Sequence, residues 1–369
     1  MTIPVSRPSL GPEELRAVED VFRSGWLGLG SVTRRFEEAL ERHLGCKHAV
    51  AVNTGTSALH IALSAHGIGR GDEVIVPSIT FAASVQAILA TGATPVFCEV
   101  DERTMLVDVA DVERRIGPRT RAVMPVHLYG SACDMDGLLA LAERHGFWVI
   151  EDAAHAFGTV QAGRAIGSFG HATCFSFDPI KTVTCGEGGA VTLADDARAD
   201  TIRRLRALGI TSEPGPSGYR EVVSEGFRYH MPDFCAAIGL AQLAKVDAFV
   251  ARRRAICRAY DAAFEDLRHV RSRPVDWNAV APHIYVVRVH GRPRAELMTA
   301  LRSIGVESGV HYVANHLQPF FRRWATGPLP VAEQVWQELV TLPLHCAMTD
   351  ADVRTVIDGV VAWDRGTAA

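Results

Sequence analysis

The sequence predicts an α/β protein: a large domain with a mostly parallel sheet between helices, followed by a small α+β domain. Three observations carry this. Short apolar runs alternate with helical stretches from His48 to Leu193, and strands alternating with helices give a parallel sheet covered on both faces. A long helical stretch, Phe234–Phe264, then leads into a region of mixed pattern. Finally, 369 residues exceed what one hydrophobic core usually holds, and the 48% apolar content is enough for two. The division is drawn at residues 1–245 for the large domain and 246–369 for the small one.

Gly11 to Gly45 reads as two helices around a Gly-rich break at Gly25, Gly28 and Gly30, with helical spacing at Phe36, Leu40 and Leu44. Seven strands follow: His48–Val52, Glu73–Val76, Pro95–Val100, Thr120–Val126, Trp148–Glu151, Ala172–Phe177 and Gly189–Leu193. Helices fall at Ala58–Ala65, Ala82–Ala90 and Met135–Glu143, and the chain turns helical again around Ala199–Leu208. Residues 211–231 are rich in Gly, Pro, Ser and charge and read as an excursion. The small domain takes a strand at Ile284–Val289, a helix at Arg294–Ile304 and a C-terminal helix. No repeat or low-complexity segment interrupts the pattern.

A net charge of −4 argues against a nucleic-acid footprint. No basic n-region and apolar h-region open the chain, and no run of about 18 apolar residues occurs, so neither a signal peptide nor a membrane span is expected. The eight cysteines form no CxxC pair and sit largely in apolar runs. They read as free thiols in a reducing, cytoplasmic compartment, with no metal site. Of 38 basic residues only Lys47, Lys181 and Lys245 are lysines. Arginine fills nearly every place where any cation would do, so each lysine is a candidate for a lysine-specific task. A guanidinium stays protonated and forms no Schiff base. Lys47 and Lys245 read as solvated.

Three stretches carry chemistry. In Asn53-Thr54-Gly55-Thr56-Ser57-Ala58-Leu59 a strand passes through a glycine turn into a helix. Thr56 and Ser57 there offer hydroxyls beside unpaired N–H groups, an anion site suited to phosphate; Ser and Thr at a helix start are also ordinary caps. In Trp148-Val149-Ile150-Glu151-Asp152-Ala153-Ala154-His155 an apolar strand ends in acid. Ligands of open α/β sheets sit beyond such carboxyl ends. Asp152 is placed to keep a pyridine nitrogen protonated, or simply to cap a helix. Glu151 alternates with it, and His155 lies one turn on. In Cys174-Phe175-Ser176-Phe177-Asp178-Pro179-Ile180-Lys181 a lysine stands among apolar and small residues before Gly186-Glu187-Gly188-Gly189. Partial desolvation there lowers its pKa and frees its lone pair for an aldehyde. Ser176 is a candidate phosphate ligand.

In this order and spacing, the three stretches resemble the DegT-type (StrS-like) sugar aminotransferases, a branch of the fold-type I pyridoxal-phosphate (PLP) enzymes. The resemblance covers nearly the whole chain. It includes Ser24-Gly25-Trp26-Leu27, Gly71-Asp72-Glu73-Val74-Ile75-Val76-Pro77, Gly92-Ala93-Thr94-Pro95-Val96, Gly309-Val310-His311-Tyr312 and Leu342-Pro343-Leu344-His345. It implies a seven-stranded sheet and a PLP cofactor held by Lys181 as a Schiff base, with Lys181 also moving protons. Asp152 would hold the ring nitrogen, His155 would lie near the ring hydroxyl, and Phe81 would stack on the ring. Thr56, Ser57 and Ser176 would bind the phosphate. The family works as homodimers with shared active sites. Relatives often read Gly-Tyr-Asn-Tyr-Arg-Met where this chain has Gly226-Phe227-Arg228-Tyr229-His230-Met231. Arg228 thus replaces an Asn that reaches the neighbour's cofactor, and would meet a phosphate there, be displaced, or bind a substrate carboxylate. Asp178 stands where His or an aromatic residue is frequent.

The activity implied is transfer of an amino group from glutamate or glutamine to a keto sugar, nucleotide-activated, in amino-sugar biosynthesis. A keto-cyclitol acceptor is an alternative. Sugar dehydration is another, but relatives that dehydrate carry histidine in place of the lysine. A PLP-binding regulator is a third, and no basic or DNA-binding segment supports it. His311, Tyr312, Asn315 and His316 are candidates for the acceptor site, although a polar loop explains them too.

Overall fold

A computed structural model describes residues 2–366 except 212 and 217. Its strands are β1 (His48–Val52), β2 (Glu73–Pro77), β3 (Thr94–Cys98), β4 (Thr120–Val123), β5 (Trp148–Asp152), β6 (Val160–Gln161), β7 (Arg164–Ala165), β8 (Ala172–Ser176), β9 (Gly189–Leu193), β10 (Val270–Ser272), β11 (Tyr285–Val289) and β12 (Leu339–Leu342). Seven of them form one sheet in the order β1-β9-β8-β5-β4-β2-β3. The five central and outer strands β8, β5, β4, β2 and β3 run parallel, and only β9 opposes its neighbours. Parallel neighbours need a crossover. The chain from Ser176 to Gly189 contains no helix, so it returns as an antiparallel strand.

Sequence and structure agree at most elements. The strands are apolar because both faces are covered: β9 is buried at all five positions, and β1, β2 and β5 at their last four. Helices start where short polar side chains accept from their first turns, at Thr54, Asp108, Asp134, Asp195 and Thr349. One apolar cluster lies on the Ala58–Leu63 face of the sheet, and two others cover it from the Phe36–Leu44 and Leu138–Phe147 side.

A separate cluster surrounds the three-stranded antiparallel sheet β10-β11-β12 and includes Tyr260, Leu297, Val356 and Trp363. Ile3, at the other end of the chain, joins this cluster and pairs in parallel with Val306.

Two expectations change. The stretch Phe234–Phe264 is two helices, Asp233–Leu243 and Val246–Phe264, bent by 60°. Lys245 stands at the bend and is not simply solvated. Its ammonium pairs with the buried carboxylate of Glu14, which also accepts from Gln242 and from the Gly11 N–H. Lys47 does sit at the surface, paired with Asp196. Among the described residues no single helix is long and apolar enough to cross a membrane.

Candidate active site

The carboxyl ends of β2, β5 and β8 open into one cavity of about 390 Å³. Its lining includes Thr54, Gly55 and Thr56 at one end, Phe81, Asp152 and His155 along the walls, and Ser176, Asp178, Lys181 and Glu187 beside them. His311 and Tyr312 close it from the second half of the chain.

Among the described residues Lys181 is the only lysine or arginine lining this space. Burial pushes its pKa down from 10.5 to about 8, against the opposing pull of Asp152 and Asp178. The amine is therefore partly unprotonated near neutral pH, as a nucleophile must be. Asp152 is buried, and burial raises its pKa although two hydrogen bonds oppose the rise. Ser84 Oγ donates to Oδ2 at 2.6 Å and the Ala154 N–H to Oδ1 at 3.1 Å. Both donors are neutral, and no cation pairs with this carboxylate among the described residues. Glu151 points to the other face, where it meets His127 Nε2 at 2.8 Å and Thr173 Oγ1 at 2.7 Å.

His155 is buried and electrically neutral, its pKa held well below the usual range by burial and by the Lys181 charge. The Tyr129 N–H faces Nδ1 at 3.4 Å, which leaves the ring proton on Nε2, 3.2 Å from Tyr312 Oη. Phe81, 57% exposed, presents its ring to the opening, 5.6 Å from that of Tyr312.

The helix start differs in detail from the expectation. The cap is Thr54, whose Oγ1 accepts from the Ser57 N–H at 3.0 Å and meets Ser57 Oγ at 2.8 Å. Ser57 is thereby turned inward and does not line the cavity, whereas Thr54, Gly55 and Thr56 do. Ser176 packs directly on this turn: a Cβ added at Gly55 would lie 2.7 Å from Ser176 Cβ. A Cβ at Gly189 would lie 2.3 Å from Thr54 O, which is backbone and has no room to yield. Gly189→Ala is expected to cost about 1–3 kcal/mol of stability, which a thermal melt checks.

Asn315 and His316 do not reach the cavity, contrary to the acceptor-site expectation. Asn315 Nδ2 donates to Ser78 O and Thr80 O at 3.0 and 2.7 Å, and His316 Nδ1 meets Ser78 Oγ at 2.7 Å. Both are consumed in clamping the loop that presents Phe81. Arg228 is exposed and away from the cavity of its own chain; its backbone bridges to Ala207 beside the end of β1. Sequence reasoning passed over Thr54, Ser84 and His283. Thr54 lay in a quoted motif, but the other two carried no local signal.

A sequence model of the DegT/DnrJ/EryC1/StrS aminotransferase family matches residues 8–361. The spore coat polysaccharide biosynthesis protein SpsC of Bacillus subtilis (strain 168) is 40% identical over 373 residues, covering 97% of this chain and 96% of that protein. The aminotransferase TlmJ from Streptoalloteichus hindustanus superposes with a TM-score of 0.93 at 36% identity, over 99% of each chain. Spr1654 from Streptococcus pneumoniae, solved in a PLP form, gives 0.93 at 28% identity, again over 99% of each chain. With matches this long on both sides, the chain belongs to the DegT/DnrJ/EryC1/StrS aminotransferase family.

Proposed function

We propose that this aminotransferase uses PLP to move an amino group from glutamate or glutamine to a nucleotide-linked keto sugar, in two half-reactions at one site. The observation that carries it is the placement of Lys181 and Asp152, unpaired with each other, in a single cavity whose far end is a helix start. The cavity fits PLP. Asp152 is a buried acid that lacks a cation, and a protonated ring nitrogen supplies one. The Thr54–Thr56 turn and the Ser176 hydroxyl offer a phosphate its donors. When bound, PLP contributes a conjugated ring that delocalises carbanion charge.

The chain's own residues do the rest. Lys181 would hold the cofactor covalently and, with its amine free, would carry protons within the cavity. Such positioned transfer contributes about 10²–10⁴-fold. Asp152 would hold the ring nitrogen, Phe81 would cover a ring face, and His155, whose Nε2 lies 3.2 Å from Tyr312 Oη, would lie near the ring hydroxyl. His311 and Tyr312 bound the space left for the acceptor.

A phosphate dianion and a donor carboxylate both need cations, and among the described residues Lys181 is the sole lysine or arginine lining the cavity. This supports a homodimer in which Arg228 of a second copy completes the site. Lys181→Ala and Arg228→Ala are each expected to be inactive alone. Mixed and refolded together, they should regain up to about a quarter of wild-type activity, since statistical mixing makes half the dimers hybrid with one intact site each. No recovery, or an Arg228→Ala variant as active as wild type, would refute the shared site.

Kinetics and a product screen test the reaction itself. Keto-sugar nucleotides and keto-cyclitols, each with glutamate and glutamine, should give ping-pong kinetics and an amino-sugar nucleotide. Turnover of cyclitols alone would replace the acceptor class proposed.

A further inference from the structure

His283 stands two residues before β11 and is absent from the cavity lining, yet its Nε2 lies 3.5 Å from Lys181 Nζ. The ring is 2% exposed and sits 4.3 Å, centroid to centroid, from His155. Its Nδ1 is buried and has no hydrogen-bond partner among the described residues. Leaving a buried polar atom unpaired costs free energy, and such an exception calls for a reason. An apolar ring of the same size would fill the space without that cost. The reason must therefore lie at the other nitrogen, which faces the reacting amine.

We propose that neutral His283 is a positioning residue: its Nε2 accepts an N–H from the Lys181 ammonium, stabilising that form each time Lys181 has taken a proton and aiming the remaining N–H groups at the cavity. This rests on the reading of Lys181 as the proton carrier. In the step, the Lys181 lone pair takes the substrate proton and the C–H electron pair stays behind. The ammonium then donates one hydrogen bond to His283, and no proton crosses to the ring.

The electrostatics agree with an acceptor that stays unprotonated. Burial, reinforced by the Lys181 charge and by His155, Arg253 and His311, holds His283 well below the usual histidine range. Asp152 and Asp178 are the acids facing Lys181. An acceptor at Nε2 requires the proton on Nδ1, which is the atom left unpaired. The resting 3.5 Å separation is long for a hydrogen bond, as such contacts often are before substrate binds.

The three lysines make the test direct. Cofactor-free protein labelled with [6-¹³C]lysine gives three Cε signals, and the one absent from Lys181→Met belongs to Lys181. Its midpoint should lie near 8 in wild type. In His283→Phe, which keeps the ring volume, it should fall by about one unit or more, a tenfold change, because a hydrogen bond to the charged form is gone. His283→Gln keeps an acceptor and should return at least half of that shift. With PLP bound, His283→Phe should lower kcat while leaving KM within about twofold. An unmoved Lys181 midpoint in His283→Phe overturns the proposal, as does a shift that glutamine does not reverse. ¹⁵N-histidine spectra of the wild type decide independently of whether any variant folds: a proton on His283 Nδ1 across pH 6–9 supports the proposal, and a proton on Nε2 overturns it. The two spectroscopic readouts need no bound cofactor. They stand apart from the Lys181 assignment, whose own failure would show as borohydride trapping of PLP elsewhere.

Discussion

Lys181→Ala is expected to give a folded protein that no longer holds PLP covalently and no longer transfers amino groups. Wild type should be yellow, with a band that borohydride removes. The variant should lack that band and lose at least about 10⁴-fold in turnover, the upper end of what positioned proton transfer contributes. Retained transamination would sink the role given to Lys181. Arginine is not a rescue: it restores the charge but neither the nucleophile nor the titration.

Stability of the cofactor-free protein should move the other way. In the folded chain Lys181 titrates near 8, against 10.5 when exposed. Between those values the unfolded chain binds a proton that the folded chain lacks, so the stability of wild type rises with pH across that window. Below about pH 8 the buried charge is a full burden. Lys181→Met removes it and should be the more stable apoprotein at pH 7, on the order of 2 kcal/mol given the partial exposure of the side chain. The advantage should fade above pH 8 and be gone by about pH 10.5. Denaturant melts at pH 7 and pH 10.5 measure both ends. A pH-independent difference would mean that packing, not charge, separates the two proteins.

The place of Lys181 in the cavity was legible in the sequence because this chain otherwise avoids lysine and sets this one among apolar and small residues. Asp152 was legible because it ends an apolar strand, and strand ends are where α/β sheets bind ligands. The seven strands of the main sheet were legible because burial on both faces writes each as a short apolar run. What was missed depends on contacts far along the chain. Ser84, which fixes the Asp152 carboxylate, is 68 residues away from it, and His283 is 102 residues from Lys181. No local spacing could join those pairs. Asn315 and His316 showed the opposite failure. Their polarity suggested a substrate, but it is consumed by Ser78 and Thr80. The bend near Lys245 escaped because no glycine or proline marks it; a surface-looking lysine instead reaches the buried Glu14. The small sheet was half legible: β11 is a clear apolar run, whereas β10 has three residues and β12 follows a helix with no turn signal between.

Asp152→Asn is the sharper test of the electronic argument, because it changes charge and little else. The amide keeps an oxygen for the Ala154 N–H, and its NH₂ can donate to Ser84 Oγ, which already bonds Thr80 Oγ1 at 2.8 Å. The fold should therefore survive with a melting point within a few degrees of wild type. A neutral amide does not hold a ring nitrogen protonated, so kcat should fall by about 10²–10³-fold, or roughly 3–4 kcal/mol of barrier. PLP should still attach to Lys181. The Lys181 midpoint should drop below 8, because Asp152 is one of the two acids that hold it up. Ser84→Ala is the matched control: it removes the 2.6 Å hydrogen bond and leaves the charge in place. Its loss should be about tenfold, the low end of the worth of one hydrogen bond to a charged group. If the two variants lose activity equally, Asp152 acts by position and not by charge. If Asp152→Asn alone falls by two or more decades, the buried carboxylate earns its place as the counter-ion of the ring.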